Sequence, residues 1–426
     1  MNKTIIIGLD GMPYGLIRNV AKNGTMPNLN KIMDQGVLRQ MASSIPEISS
    51  VAWSSIITGK NPAEHGTFGF TDFASNTYRM TFPNYATLKE PAFWEKKNMG
   101  RSVIINVPST YPAREFNGVL ISGFVALNLQ KAVYPASLLS TLEDFNYQVD
   151  VDYSRASESI DYFLRDLERT LDARIETYRY LWENESWENF VLVFTGVDRL
   201  AHYLWHAYED PDDPYHQVFL DHLSKIDETI GEIGARMDDN DNVVLLSDHG
   251  FERLEKEVFI NHLLLEKGYL RFNGAEKQRF NDIAPDTKAF ALDPGRIYIH
   301  YEDKYPRGSV KPEDGKIIID ELSSILEDLE IDGKRVIQKL YHKEEIFSGP
   351  YIDQAPDLVP LAAAGFNLRP TLNTSKLWDH DQRSGKHSQK DAFLLVKADG
   401  AEDVVPENPT VFDVVPILEQ LKGNIC

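Results

Sequence analysis

Asn189-Phe190-Val191-Leu192-Val193-Phe194-Thr195-Gly196-Val197-Asp198-Arg199-Leu200-Ala201-His202 is the stretch on which the fold turns. Asn189–Phe194 is a short apolar run closed by a glycine, the pattern of a strand buried on both faces. Asp198 and His202 follow four residues apart, so on a helix they share one face. Two other segments have the same grammar. Asn242–Leu246 closes on Ser247-Asp248-His249-Gly250, and Ile5–Leu9 closes on Asp10-Gly11. Three buried strands thus each deliver an acidic residue at the C-terminal end. Long amphipathic segments, Ile160–Trp182 and Phe219–Met237, alternate with them. That alternation predicts an α/β fold, a doubly wound, mostly parallel sheet with helices on both faces. Ligands of such sheets bind at the C-terminal strand ends, where Asp10, Asp198 and Asp248 fall.

Further strands are expected at Val37–Met41, Ser102–Pro108, Val119–Phe124 and Ala392–Val396. Met26–Ile32 reads as a helix capped by Pro27 or Asn28 and closed at Gly36. Phe93–Gly100 reads as a helix stopped by glycine, and Val411–Leu421 as the last helix. One catalytic domain over 1–426 is expected. Within it, residues 260–370 change texture, with strand-like Gly295–His300, helical Ile317–Leu329 and strand-like Val336–Tyr341. They read as an inserted α+β subdomain, and the weakly patterned 125–155 as a smaller insertion.

Lys and Arg total 44 against 65 Asp and Glu, a formal charge of −21. No basic run offsets it, which argues against a nucleic-acid polymer as partner. An anionic ligand then needs local positive charge, and metal ions are one supply. The only cysteine is Cys426, so internal disulfides and a cysteine zinc cage are excluded. The N-terminus enters its first strand at once, and no segment reaches the roughly 20 apolar residues of a membrane span. A cytoplasmic location with no membrane partner is the expectation; composition leaves the oligomeric state open.

Ser49-Ser50-Val51-Ala52-Trp53-Ser54-Ser55-Ile56-Ile57-Thr58-Gly59 is a short apolar helix with two serines at its start. A serine there either caps the helix or acts as a nucleophile in the field of unpaired N–H groups. Elsewhere, His387 lies in the polar loop Ser384-Gly385-Lys386-His387-Ser388. With Asp10, Asp198, His202, Asp248 and His249 it makes three Asp and three His at strand exits or loops. Mixed nitrogen and oxygen donors suit two divalent ions, zinc above all, or manganese where oxygen dominates.

The ordered set GLDG, ISSVAWSSIITGKNPAEHG, FTGVDRLAHYLWH, SDHG and SGKH resembles the alkaline phosphatase superfamily, in its type I phosphodiesterase/nucleotide pyrophosphatase branch. The resemblance spans nearly the whole chain. It implies one metal held by Asp198, His202 and His387, and another held by Asp10, Asp248 and His249 with the Ser49 oxygen. It implies Ser49 as nucleophile, with Ser50 the fallback because Val51 stands where that branch has proline. In that reading Ser50 also keeps the cap role and offers its N–H to a phosphoryl oxygen. The branch's phosphate-holding Asn has no match after His65-Gly66, so either Thr71 or Asp72 is a candidate for that place or the substrate is held differently, and Tyr111 is a candidate to stack on the substrate. The sulfatase modification motif is absent.

The reaction implied is metal-dependent hydrolysis of phosphodiester or pyrophosphate bonds in a small-molecule phosphoester, through a phosphoseryl intermediate at Ser49. The alternatives on the same residues are a phosphomonoesterase or phosphonate hydrolase, and a non-catalytic metal-binding protein.

Overall fold

The computed structural model describes residues 2–153, 159–274 and 278–423. Cys426, and residues 154 and 155 of the 125–155 segment, lie outside them. The chain divides into two compact units. Met1–Lys60, Asn84–Glu252 and Gln382–Cys426 make the first, and Asn61–Pro83 with Arg253–Asp381 the second.

The first unit is built on an eight-stranded sheet. Its strands are β1 (Thr4–Leu9), β2 (Val37–Met41), β3 (Ser102–Val107), β4 (Gly118–Ser122), β5 (Val133–Tyr134), β6 (Asn189–Phe194), β7 (Asn242–Leu246) and β8 (Ala392–Lys397). They lie in the order β2-β8-β7-β1-β6-β3-β4-β5. β7, β1, β6, β3 and β4 run parallel, β8 is antiparallel to both β7 and β2, and β5 is antiparallel to β4. Alternate residues serve opposite faces. Ile5, Ile7 and Leu9 join Phe190, Leu192 and Phe194 in one core; Ile6, Val191, Val193 and Val244 join the other. Because both faces are covered, the strands have no polar alternation. β5 comes from within 125–155 and forms one edge of this sheet.

The described helices of seven or more residues in this unit are α1 (Tyr14–Lys22), α2 (Pro27–Met33), α3 (Ser49–Thr58), α4 (Ile160–Asn184), α5 (Gly196–Glu209), α6 (His216–Ala235) and α7 (Val414–Leu421). α1, α4 and α6 feed the first core, α3 and α7 the second. No described helix is long and apolar enough to cross a membrane.

Three local expectations need correction. Phe93–Gly100 is two short 3-10 turns, Phe93–Glu95 and Lys97–Met99, broken by extended Lys96. Phe93 and Trp94 are both buried in one core, and adjacent residues on an α-helix do not share a face. α2 starts at Pro27, but Asn28 is no cap. The Asp227 carboxylate of α6 accepts the Asn28 and Leu29 N–H groups at 2.9 and 2.8 Å, supplying the missing acceptor from another helix. Ser50 does not cap α3 either; the cap position is Ile48, without a side-chain hydrogen bond.

The second unit has its own core around Val258, Phe290, Ile297, Leu322 and Leu358. A four-stranded antiparallel sheet orders Ala289–Leu292, Arg296–Ile299, Leu358–Ala362 and Ile337–His342, and the helix Gly315–Glu327 packs with it. Residues 260–370 fall inside Arg253–Asp381.

Candidate active site

Ser49 and the six Asp and His residues all belong to the first unit. Asp10 follows β1, Asp248 and His249 follow β7, and Asp198 and His202 ride the first turns of α5 after β6. The parallel register of β7, β1 and β6 sets these exits side by side. Asp10, Asp198, Asp248 and His249 are almost wholly buried.

Donor atoms converge here. His387 Nε2 lies 3.1 Å from Asp198 Oδ1 and 3.2 Å from His202 Nε2. His202 Nε2 is 3.5 Å from the same Asp198 oxygen, the i,i+4 relation of the helix. His249 Nε2 is 3.3 Å from Asp248 Oδ2, 3.8 Å from Asp198 Oδ1 and 3.9 Å from Asp10 Oδ1. Asp10, Asp248 and His249 form one compact group of ligand atoms, and Asp198, His249 and His387 another. The His249 and His387 rings stack with centroids 3.6 Å apart.

The imidazoles are oriented by backbone carbonyls. His202 Nδ1 lies 3.1 Å from Gly385 O, His249 Nδ1 3.0 Å from Gly250 O, and His387 Nδ1 2.9 Å from Glu47 O. A carbonyl only accepts, so each Nδ1 carries a proton and each ring turns its Nε2 inward. The His202 and His387 Nε2 atoms meet at 3.2 Å, beside the Asp198 carboxylate. Burial pushes the His202 ring down to about 3 and lowers His249, so neither carries a second proton at neutral pH.

The carboxylates tell the same story. Burial, then Asp248 and Asp198, hold Asp10 well above the usual carboxylate range. Burial pushes Asp248 up to about 7. Asp198 is also pushed up by burial, but His202, Arg199 and His387 outweigh this and hold it well below the usual range. Asp248 Oδ1 accepts the Gly11 N–H at 3.1 Å, while its buried Oδ2 has no hydrogen-bond partner. Imidazole nitrogens turned toward one another, crowded carboxylates and an orphaned buried oxygen fit a divalent cation.

Ser49 is the first residue of α3 and only 5% exposed. Its Oγ lies 3.2 Å from His249 Nε2, to which the hydroxyl donates. The first intrahelical N–H bonds of α3 come from Val51 and Ala52, both to Ile48 O, so the Ser49 and Ser50 N–H groups lie at the unpaired helix end. Ser50 Oγ is buried with no hydrogen-bond partner among the described residues.

Several supporting residues escaped the sequence reading. Trp53, one turn after Ser49, donates its Nε1–H to Asp10 Oδ2 at 2.9 Å and ties α3 to the end of β1. Gly8 leaves room for that indole: a Cβ there would stand 2.5 Å from Trp53 Cη2. Arg199 donates Nη1–H to Asp198 Oδ2 at 2.5 Å and Nη2–H to Asp150 Oδ2 at 2.7 Å. The i,i+4 spacing of Ser49 and Trp53 was the one available signal; the Arg199–Asp150 pair spans 49 residues and left none.

Of the candidate substrate contacts, Tyr111 is in the first unit, half-buried against the α1-side core, and its carbonyl accepts the Tyr85 N–H at 2.9 Å. Thr71 and Asp72 belong to the second unit. There the Thr71 carbonyl accepts from Arg296 Nη2 at 2.5 Å, and Asp72 Oδ1 accepts the Phe73 N–H at 2.9 Å. Burial raises the Asp72 carboxyl against the pull of Arg296.

The chain was compared with known proteins. No curated protein sequence matches it. Among solved structures, phosphonoacetate hydrolase from Sinorhizobium meliloti 1021, in complex with phosphonoacetate, superposes with a TM-score of 0.65 at 17% identity, covering 99% of this chain and 96% of that one. An inactive form of murine ectonucleotide pyrophosphatase/phosphodiesterase 5, in complex with AMP, gives 0.59 at 14% identity over 99% and 95%. The human protein of that name gives 0.58 at 14% identity over 99% and 95%. The model of the type I phosphodiesterase / nucleotide pyrophosphatase family matches residues 4–388. The chain therefore belongs to the type I phosphodiesterase/nucleotide pyrophosphatase family, within the alkaline phosphatase superfamily.

Proposed function

We propose that this protein hydrolyses phosphodiester or pyrophosphate bonds of small-molecule phosphoesters, with Ser49 as nucleophile and two divalent cations, zinc for preference, bound at the strand ends. The observation that carries the reading is the 3.2 Å approach of His202 and His387 Nε2 beside Asp198, with every Nδ1 turned to a carbonyl. Asp198, His202 and His387 would hold one cation; Asp10, Asp248 and His249, with Ser49 Oγ, the other. When bound, the cations neutralise the buried carboxylates, lower the pKa of an attacking hydroxyl and draw charge from a phosphoryl oxygen.

The chain's own residues do the rest. Trp53 and Gly8 fix α3 against Asp10, which holds Ser49 Oγ at the ligand cluster. The unpaired N–H groups of Ser49 and Ser50 face the charge of a non-bridging phosphoryl oxygen at the helix start. Ser49 Oγ attacks phosphorus, the bond to the leaving alcohol or phosphate breaks, and a phosphoserine remains. Water then attacks that phosphorus from the opposite side, releasing the product and restoring the hydroxyl. Burial of the cluster keeps bulk water from competing with the serine.

Purified protein loaded with zinc or manganese should cleave bis-nitrophenyl phosphate. Ser49→Ala should lower kcat by at least about 10³-fold while keeping bound metal. Full activity in that variant would remove Ser49 from the mechanism. A second reading is phosphonate hydrolysis on the same residues, favoured by the fold's likeness to phosphonoacetate hydrolase. Rates across a panel of di-, mono-, sulfate and phosphonate esters decide between them. Bound metal with no turnover on any of them would support a binding protein instead.

A further inference from the structure

α5, the helix that carries Asp198 and His202, begins against a small cavity of the first unit. The cavity holds about 10 Å³, room for one water-sized sphere. Thr195 and Gly196 at the start of α5, Arg174 of α4, His222 of α6 and Asp150 line it, with apolar side chains around them.

Its two basic side chains are left incomplete. Arg174 is 2% exposed. It donates from Nη2 to Val149 O at 2.9 Å and from Nη1 to Thr195 Oγ1 at 3.4 Å, while Nε has no partner. Among the described residues no carboxylate pairs with it. His222 is buried, and its Nε2 also lacks a partner. That nitrogen stands 2.6 Å from where a Cβ on Gly196 would be, so it faces the first residue of α5. The one carboxylate on the cavity wall is committed elsewhere. Asp150 Oδ2 accepts from Arg199 Nε and Nη2 at 3.0 and 2.7 Å, and Oδ1 accepts the Val151 N–H at 2.9 Å.

We infer that this cavity binds one monatomic anion, chloride under ordinary conditions, between the Arg174 Nε–H, the His222 Nε2–H and the N-terminus of α5. A water molecule would satisfy hydrogen bonds but leave a buried guanidinium and a helix N-terminus without counter-charge. A phosphate or sulfate is too large for a one-sphere space. Burial, then Lys225 and Arg174, push His222 down to about 4, so its ring is neutral at pH 7 and is free to hold its proton on Nε2. The bound halide would stabilise the root of the helix that presents Asp198 and His202, whatever reaction those residues serve.

The test uses the whole protein as isolated. Crystals grown in sodium bromide, measured at the bromine absorption edge, should show an anomalous peak in this cavity, in hydrogen-bonding reach of Arg174 Nε and His222 Nε2. Thermal unfolding at fixed ionic strength should give a saturable Tm rise of about 2–4 °C in chloride or bromide over gluconate. Arg174→Gln should lose that difference. A cavity without an anomalous peak, or equal Tm values for the wild type in chloride and gluconate, would overturn the inference.

Discussion

Two imidazole nitrogens stand 3.2 Å apart beside the Asp198 carboxylate, each ring with its Nδ1 turned to a backbone carbonyl, an arrangement that suits a shared cation. From this follows a pH dependence of metal uptake. The His202 ring, pushed down to about 3, is already unprotonated at pH 6, but Asp248, raised to about 7, still carries its proton there, and Asp10 is raised as well. A cation must displace those protons, so zinc affinity should rise with pH through about 7, by up to about tenfold per pH unit for each proton displaced. Calorimetry in buffers of different ionisation heat would count the protons; Asp248→Asn should release fewer. The serines divide in the same way. Ser50→Ala should keep kcat within about threefold, since its side chain touches nothing polar, whereas Ser49→Ala should not. At this scale the sequence is informative about residue type and place, because Asp and His standing after an apolar run are conspicuous. It says little about orientation. The proton on His387 is placed by Glu47 O, 340 residues away in the chain.

Elements carry these side chains to one another, and two contacts decide how well. Trp53 joins α3 to the end of β1 through Asp10, and Gly8 gives the indole its space. Gly8→Ala should destabilise the protein by about 1–3 kcal/mol through overpacking and also lower kcat, because the displaced indole shifts Asp10 and Ser49 together. Asp227→Ala offers the contrast. It uncaps α2, so denaturant melts should show a loss of about 1–2 kcal/mol with kcat unchanged. The parallel strands were legible because a strand buried on both faces is apolar throughout, as β1, β6 and β7 are. The segment Phe93–Gly100 was misread because its aromatic pair answers to the core rather than to helical spacing. The cap of α2 was misread for a related reason: its acceptor comes from α6, 199 residues on.

At the scale of the whole molecule, a formal charge of −21 opposes the approach of an anionic substrate. Raising ionic strength from about 0.01 to 0.15 M screens that repulsion, so kcat/KM should increase, and more for a polyanionic pyrophosphate than for a singly charged aryl diester. A fall over that range would show that local positive charge at the site outweighs the global field. Composition made the acidity plain but not how the buried carboxylates are balanced, since that depends on which side chains the sheet brings together. Under the proposed function, six residues of the first unit hold two divalent cations beside Ser49. The most direct measurement is anomalous diffraction at the zinc edge from crystals of the zinc-loaded protein. Two peaks are expected, one among Asp198, His202 and His387 and one among Asp10, Asp248, His249 and Ser49 Oγ. Zinc-loaded crystals with no peak among these residues, or with zinc bound only elsewhere, would contradict it.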